Sequence, residues 1–216
     1  MALLRSKSQK IIDFITFPIR AVTIFQDNKW GLSSLRSERF EYSAREVKGH
    51  CLDVGCGKHN LFINDYLQGK GIGIDVYKYD GLTDEHIVND ITHFPYENNT
   101  FESVTFIANI NHVPRPKRDV ELAEAYRCLK TGGNIIITMG NPLAEILVHK
   151  VVFVYGKLFG AHHDMDTERG MEEGEEYYLT DTEIISRMKM AGFKNIEKKY
   201  FATQWALNAL FVGTKI

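Results

Sequence analysis

The stretch CLDVGCGKHN, Cys51 to Asn60, decides how the chain is read. An apolar run ends in Gly55-Cys56-Gly57, two glycines one residue apart. The run suits a strand buried in a sheet. The glycines let the backbone turn sharply at the strand end and approach a ligand closely. A second run, GIGID, ends in Asp75, 22 residues after Asp53. A strand-end carboxylate at that interval from a glycine turn can accept the hydroxyls of a ribose.

Two features argue against a dinucleotide. Its fingerprint wants a third glycine three positions after Gly57, and Asn60 stands there. Asp53 precedes the turn, where a carboxylate repels a pyrophosphate but suits an ammonium group. A ligand with a ribose at one end and an amino acid at the other meets both demands. That ligand is S-adenosyl-L-methionine, whose product after transfer is S-adenosyl-L-homocysteine.

From His50 onward, short apolar runs alternate with helical patterns, the mark of βα units around a mostly parallel sheet. HCLDVG is the first strand, KHNLFINDYLQGK a helix, GIGID the second strand, HIVND a short third and ESVTFIAN the fourth. A helix is expected from about Pro116 to Lys130, with Val120, Ala123, Tyr126 and Leu129 on one face. NIIITM is the fifth strand. Thr180, with Glu183 three residues on, has capping-box spacing and opens a last helix. KNIEKKYFA and ALNALFVGT follow with a short connection, which predicts antiparallel pairing. The predicted class is α/β, a Rossmann-like seven-stranded, mostly parallel sheet with helices on both faces and an antiparallel C-terminal hairpin. Residues 1–48 form an N-terminal helical arm, 49–216 the ligand-binding domain, and 141–178 an insertion after the fifth strand that caps the substrate.

These segments resemble the class I, Rossmann-like S-adenosylmethionine-dependent methyltransferases of the small-molecule type. LDVGCG resembles the family's first motif, which implies Asp53, Gly55, Cys56 and Gly57 around the methionine end of the cofactor. GIGIDV resembles the second, with Asp75 on the ribose and Val76 beside the adenine. VNDITHFPYENNTFESV resembles a segment that implies Asp90 near the adenine amino group and Ile91 over the ring. IANINHVPRP resembles the fourth-strand motif, implying cofactor contacts from Ala108 and Asn109, and EAYRCLKTGGNIIIT resembles the segment that leads into the fifth strand. Two positions depart from the family pattern: Asn111 replaces the first of a usual histidine pair, and Thr131 replaces a proline before two glycines.

The 216 residues carry a net charge of −2, with 44% hydrophobic and 25% charged residues, ordinary globular composition that does not favour a nucleic-acid partner. The charge is uneven: residues 1–48 hold nine Lys/Arg against five acids, and residues 160–185 hold one Arg against nine acids. Three cysteines without a CxxC pair suit reduced thiols and a cytoplasmic setting. Ile11–Phe25 is apolar but broken by Asp13, Pro18 and Arg20, too short and polar to span a bilayer. It is either a helix packed on the domain or an amphipathic segment making peripheral contact with a membrane surface.

Methyl transfer from a sulfonium is an in-line displacement that needs alignment and a nucleophile in the right protonation state. A hydroxyl acceptor benefits from a base, for which His112 and His163 are the candidates. His162, His163, Asp164 and Asp166 also have metal-ligand chemistry, but neighbours in sequence rarely converge on one ion unaided, and no metal is expected. The apolar stretches Ile11–Phe25 and Ile146–Phe159 point to O-methylation of a small, hydrophobic or lipid-linked acceptor. Methylation of a tRNA or protein, and a cofactor-binding module without transfer, are the alternatives.

Overall fold

The computed structural model describes residues 5–23, 28–141 and 179–216. Nearly all of the expected insertion, with His162, His163, Asp164 and Asp166, therefore lies outside the described residues. The strands are β1 (Cys51–Val54), β2 (Gly71–Ile74), β3 (Phe101–Ile107), β4 (Leu129–Gly140), β5 (Lys194–Tyr200) and β6 (Asn208–Thr214), in the sheet order β2-β1-β3-β4-β6-β5. β1 pairs parallel with β2 and β3, and β3 with β4, while β6 runs antiparallel to both β4 and β5.

The described sheet has six strands, not seven. The expected third strand, HIVND, joins it through a single parallel bridge between Asp75 and Ile87. Asp75 N donates to His86 O (2.8 Å), and Val88 N donates to Asp75 O (2.9 Å). A 3-10 turn (Asp84–His86) directly before the bridge and a turn at Asp90 directly after it leave too little extended chain for a ladder.

Side chains alternate across the sheet. Leu52, Val54, Val104, Phe106, Ile135 and Ile137 bury one face against α3 (Arg118–Cys128) and α4 (Asp181–Met190). On the other face Cys51 meets Phe40 of α2 (Leu35–Ala44) together with Phe62 and Ile63, and Ile136 and Leu210 meet Phe201. Ser34 caps α2 by accepting from Ser37 N at 3.0 Å, and Thr180 caps α4 by accepting from Glu183 N at 3.3 Å, as its position predicts.

Two helix expectations are corrected. After β1 the chain makes a 3-10 turn (Lys58–Asn60) and a π turn (Phe62–Tyr66) rather than one long helix, because His59 and Asn60 both take positive φ (60° and 47°). Asn60 is buried with its side chain on Gly73, where no Cβ fits. α3 has the predicted period but another phase. Its buried residues are Arg118, Glu121, Leu122, Ala125 and Cys128, while Val120 is exposed. Arg118 sets the phase: its guanidinium turns inward to Val113 O (2.8 Å) and Asn111 O (3.2 Å).

The arm forms α1 (Lys7–Thr23), which packs on the 3-10 turn Ala202–Gln204 between β5 and β6. No helix among the described residues is long and apolar enough to cross a membrane.

Candidate functional site

Gly55 and Gly57, both at positive φ (76° and 63°), turn the chain at the carboxyl end of β1. Gly55 N and Cys56 N donate to Ile74 O (2.8 and 3.1 Å), and Gly57 N donates to Asp75 Oδ2 (3.0 Å). All three amides of the turn are thus spent on β2 and its terminal acid. A pyrophosphate-binding turn keeps its amides for the phosphate. A Cβ on Gly55 would collide with the Asn109 side chain, whereas one on Gly57 would enter open space, the cradle side of the turn.

Two acids flank that cradle. Asp53, third residue of β1, is 2% exposed, and its Oδ1 accepts from Thr105 Oγ1 at 2.6 Å. Burial pushes its carboxyl up to about 7; the Thr105 hydroxyl pulls the other way, and the Asp75 charge adds to the rise. Asp75 is held by Gly57 N on one oxygen and by Tyr77 N (3.1 Å) on the other. These two amides fix the carboxylate plane and leave further lone pairs for ligand hydroxyls. Beside it the Val76 and Tyr77 side chains stand about half exposed, an apolar shelf next to a fixed carboxylate.

The opposite wall comes from the end of β3. Ala108 adopts φ 51°, costly for a residue with a Cβ, and Thr138 of β4 steadies it by accepting from Ala108 N at 2.9 Å. Asn109 then lies against Gly55, so the β1 and β3 ends meet. His112 N closes a turn on Asn109 O (2.8 Å), leaving the His112 ring half-buried. Asn111, where the family pattern has histidine, is buried, and its Oδ1 finds no donor.

Three further predicted positions have the following surroundings. Asp90 is exposed and spends Oδ1 on Thr92 N (2.9 Å) and Thr92 Oγ1 (2.5 Å), a local turn that holds its carboxyl below the usual range. Ile91 is partly buried and packs against the main core. Cys56 is buried, its thiol pushed up by burial, so it serves the turn through its backbone. The described residues contain no cluster of three His, Cys, Asp or Glu side chains fit for a metal. Sequence reasoning missed Thr105, Thr138 and Tyr77. Thr105 takes its place from the strand register, which puts it directly across from Asp53.

The geometry fits S-adenosylmethionine: an open glycine cradle, a fixed strand-end carboxylate beside an apolar shelf, and a second acid below the turn where a cation relieves two like charges. A family model described as "Methyltransferase domain" matches residues 29–198. The chain is 30% identical over 198 residues to a demethylmenaquinone methyltransferase of Symbiobacterium thermophilum, covering 77% of this chain and 76% of that one. Its fold is similar to that of a Thermotoga maritima S-adenosylmethionine-dependent methyltransferase, with a TM-score of 0.59 at 14% identity, covering 96% and 98% of the two chains. It is also similar to a 1,6-didemethyltoxoflavin N1-methyltransferase of Burkholderia thailandensis solved with S-adenosylhomocysteine, with a TM-score of 0.56 at 12% identity, covering 100% and 92%. The chain belongs to the methyltransferase-domain family and is a class I, Rossmann-like, S-adenosylmethionine-dependent methyltransferase.

Proposed function

We propose that this enzyme methylates a hydroxyl of a small, hydrophobic acceptor of the phenol or hydroquinone kind, bound beside the turn that ends β3. The observation that carries the site is the pair of acids at the glycine cradle: Asp53 raised by burial and by Asp75, and Asp75 pinned by two amides. In this reading Asp75 takes the ribose, Val76 and Tyr77 border the adenine, and Asp53 receives the amino group. Asp90, committed to Thr92, contributes through the turn it shapes. Bound S-adenosylmethionine supplies an electrophilic methyl on a sulfonium.

The remaining chemistry falls to the chain. An acceptor hydroxyl must lose its proton as its oxygen bonds to the methyl carbon, and the leaving thioether keeps the electron pair of the broken S–C bond. His112 takes that proton, imidazole being suited to the task near neutral pH. The relative named for demethylmenaquinone supports a quinol-like acceptor, and relatives named as ubiquinone/menaquinone biosynthesis C-methyltransferases favour a second reading, transfer to carbon.

The test is turnover with deuteromethyl-labelled S-adenosylmethionine on a panel of alkylated phenols and hydroquinones, matched with polar catechols. Labelled aryl methyl ethers from the apolar members support the proposal. Labelled ring methyls would move the reaction to carbon, and turnover confined to polar members would overturn the hydrophobic acceptor.

A further inference from the structure

α1 is turned inside out. Its buried side is Asp13, Phe17 and Arg20, at spacings of four and three residues, and both charged members are fully buried. Its outer side carries Ile11 (62% exposed), Ile12, Phe14, Ile15 (68%) and Ile19 (58%). At 3.6 residues per turn these five, with Pro18, cover an arc of roughly 160° directly opposite Asp13 and Arg20. A helix stabilised only by apolar burial would roll these residues inward.

It is held in place by charge. Arg5 binds Glu38 and Glu41 of α2 and reaches Asp13 at 2.8 Å. Arg20 donates to Glu38 (2.9 Å), Ser33 O (2.8 Å) and Thr203 O (3.1 Å), tying α1 to α2 and to the turn between β5 and β6. Gln9 Nε2 donates to Gly31 O (2.9 Å), and Asp13 Oδ1 accepts from Ser33 N (3.2 Å). A network with this many fixed partners leaves the helix one orientation, with the isoleucines facing out. Monomeric soluble proteins rarely expose a contiguous apolar surface of this kind without a use for it.

We propose that the outer face of α1 docks on an anionic lipid bilayer, lying in the interface without crossing it. Three observations select lipid. The arm's described acids are spent internally: Asp13, Glu38 and Glu41 on Arg5 and Arg20, and Glu46 on Lys199 at 2.7 Å. Lys7 and Lys29 remain exposed, Lys7 at the head of the apolar stripe, which complements a negatively charged surface. Two tryptophans flank the helix. Trp205 is 50% exposed, donates Nε1 to Phe14 O (2.9 Å) and contacts the Phe14 and Phe17 rings, while Trp30 is 80% exposed in the turn that Gln9 holds. Exposed tryptophans beside an apolar face and lysines are the composition of interfacial helices. Docking in this way would bring a lipophilic acceptor within reach of the enzyme, but the inference rests on α1 alone and stands if the acceptor proves polar.

The experiment is flotation of the full chain with vesicles of phosphatidylcholine alone and of phosphatidylcholine with phosphatidylglycerol. It is run on the native protein and on an Ile11→Ser/Ile15→Ser/Ile19→Ser variant, with S-adenosylhomocysteine affinity and oligomeric state measured on both. The substituted side chains lie outside the ion network, so cofactor affinity should not change. We expect flotation with the anionic vesicles, reduced at least roughly ten-fold in the variant because membrane partitioning scales with buried apolar area. Native protein that remains soluble and monomeric with anionic vesicles overturns the proposal. A native dimer that the variant dissolves, with no flotation, assigns the face to a second copy and overturns it equally.

Discussion

Replacing Asp53 with asparagine should strengthen the free protein and weaken its hold on cofactor. The carboxyl is fully enclosed, and burial raises it from the ordinary 3.8 to about 7. A group raised in the folded state contributes stability below its unfolded value, which is lost as pH climbs through the folded value. At about pH 8 both states are ionised, and the free enzyme carries a penalty of up to about 4 kcal/mol for the buried charge. Asp53→Asn keeps the shape and an oxygen for Thr105 Oγ1 but removes the charge, so thermal unfolding at that pH should move up by several degrees. At about pH 4 the gain should vanish.

Cofactor binding should respond in the opposite sense. If the ligand ammonium needs the carboxylate, protonation of Asp53 competes with binding below about 7. Affinity for S-adenosylhomocysteine then falls roughly ten-fold from pH 8 to pH 6, and nearly one proton is released per ligand bound at the lower pH. Asp53→Asn should flatten the profile and bind weakly throughout. Calorimetric titrations in two buffers of different ionisation enthalpy measure affinity and proton release together. A destabilised variant whose affinity and pH profile match the native enzyme would refute both the buried charge and its pairing with ammonium.

Three shorter predictions test the remaining parts. Asp75→Ala should weaken S-adenosylhomocysteine several-fold or more while the protein stays folded, since it removes both the proposed ribose acceptor and the anchor of Gly57 N; unchanged affinity by titration rules out that assignment. Gly55→Ala should lower both stability and cofactor affinity, because a Cβ at φ 76° meets Asn109 and pries the β3 end from the β1 turn; a melting curve with the native midpoint would contradict it. Arg20→Met should cost about 3 kcal/mol in denaturant unfolding, the usual penalty for breaking a buried ion pair while its partner acid stays behind; a loss under about 0.5 kcal/mol would show that Arg5, Thr203 and Gln204 suffice to hold Glu38.

The cofactor half was legible because its geometry follows from local rules. A buried strand that ends in two glycines must turn there, and a strand-end acid at Asp75 must face the turn because neighbouring parallel strands end together. What stayed hidden depended on partners distant in sequence. The third strand failed because flanking turns consume its residues. The phase of α3 was set by Arg118 reaching the carbonyls of Asn111 and Val113, an event no periodicity count registers. Asp90 matched its motif, and the turn that its Oδ1 makes with Thr92 two residues on is fixed only by backbone geometry.

The arm shows the deeper reason. Amphipathic spacing in residues 7–23 says that a helix has an apolar side and a polar side, and convention places the apolar side inward. Which side turns in depends on what the rest of the fold offers. Here α2 offers Glu38 and Glu41, and the neighbouring turns offer the carbonyls of Ser33 and Thr203. Two arginines complete a buried network in which Asp13, Glu38 and Glu41 would otherwise be unpaired buried charges. The apolar residues face outward as the consequence. An isoleucine stripe kept exposed by a rigid ionic clasp is a surface specified by the fold, through the same contacts that orient the helix.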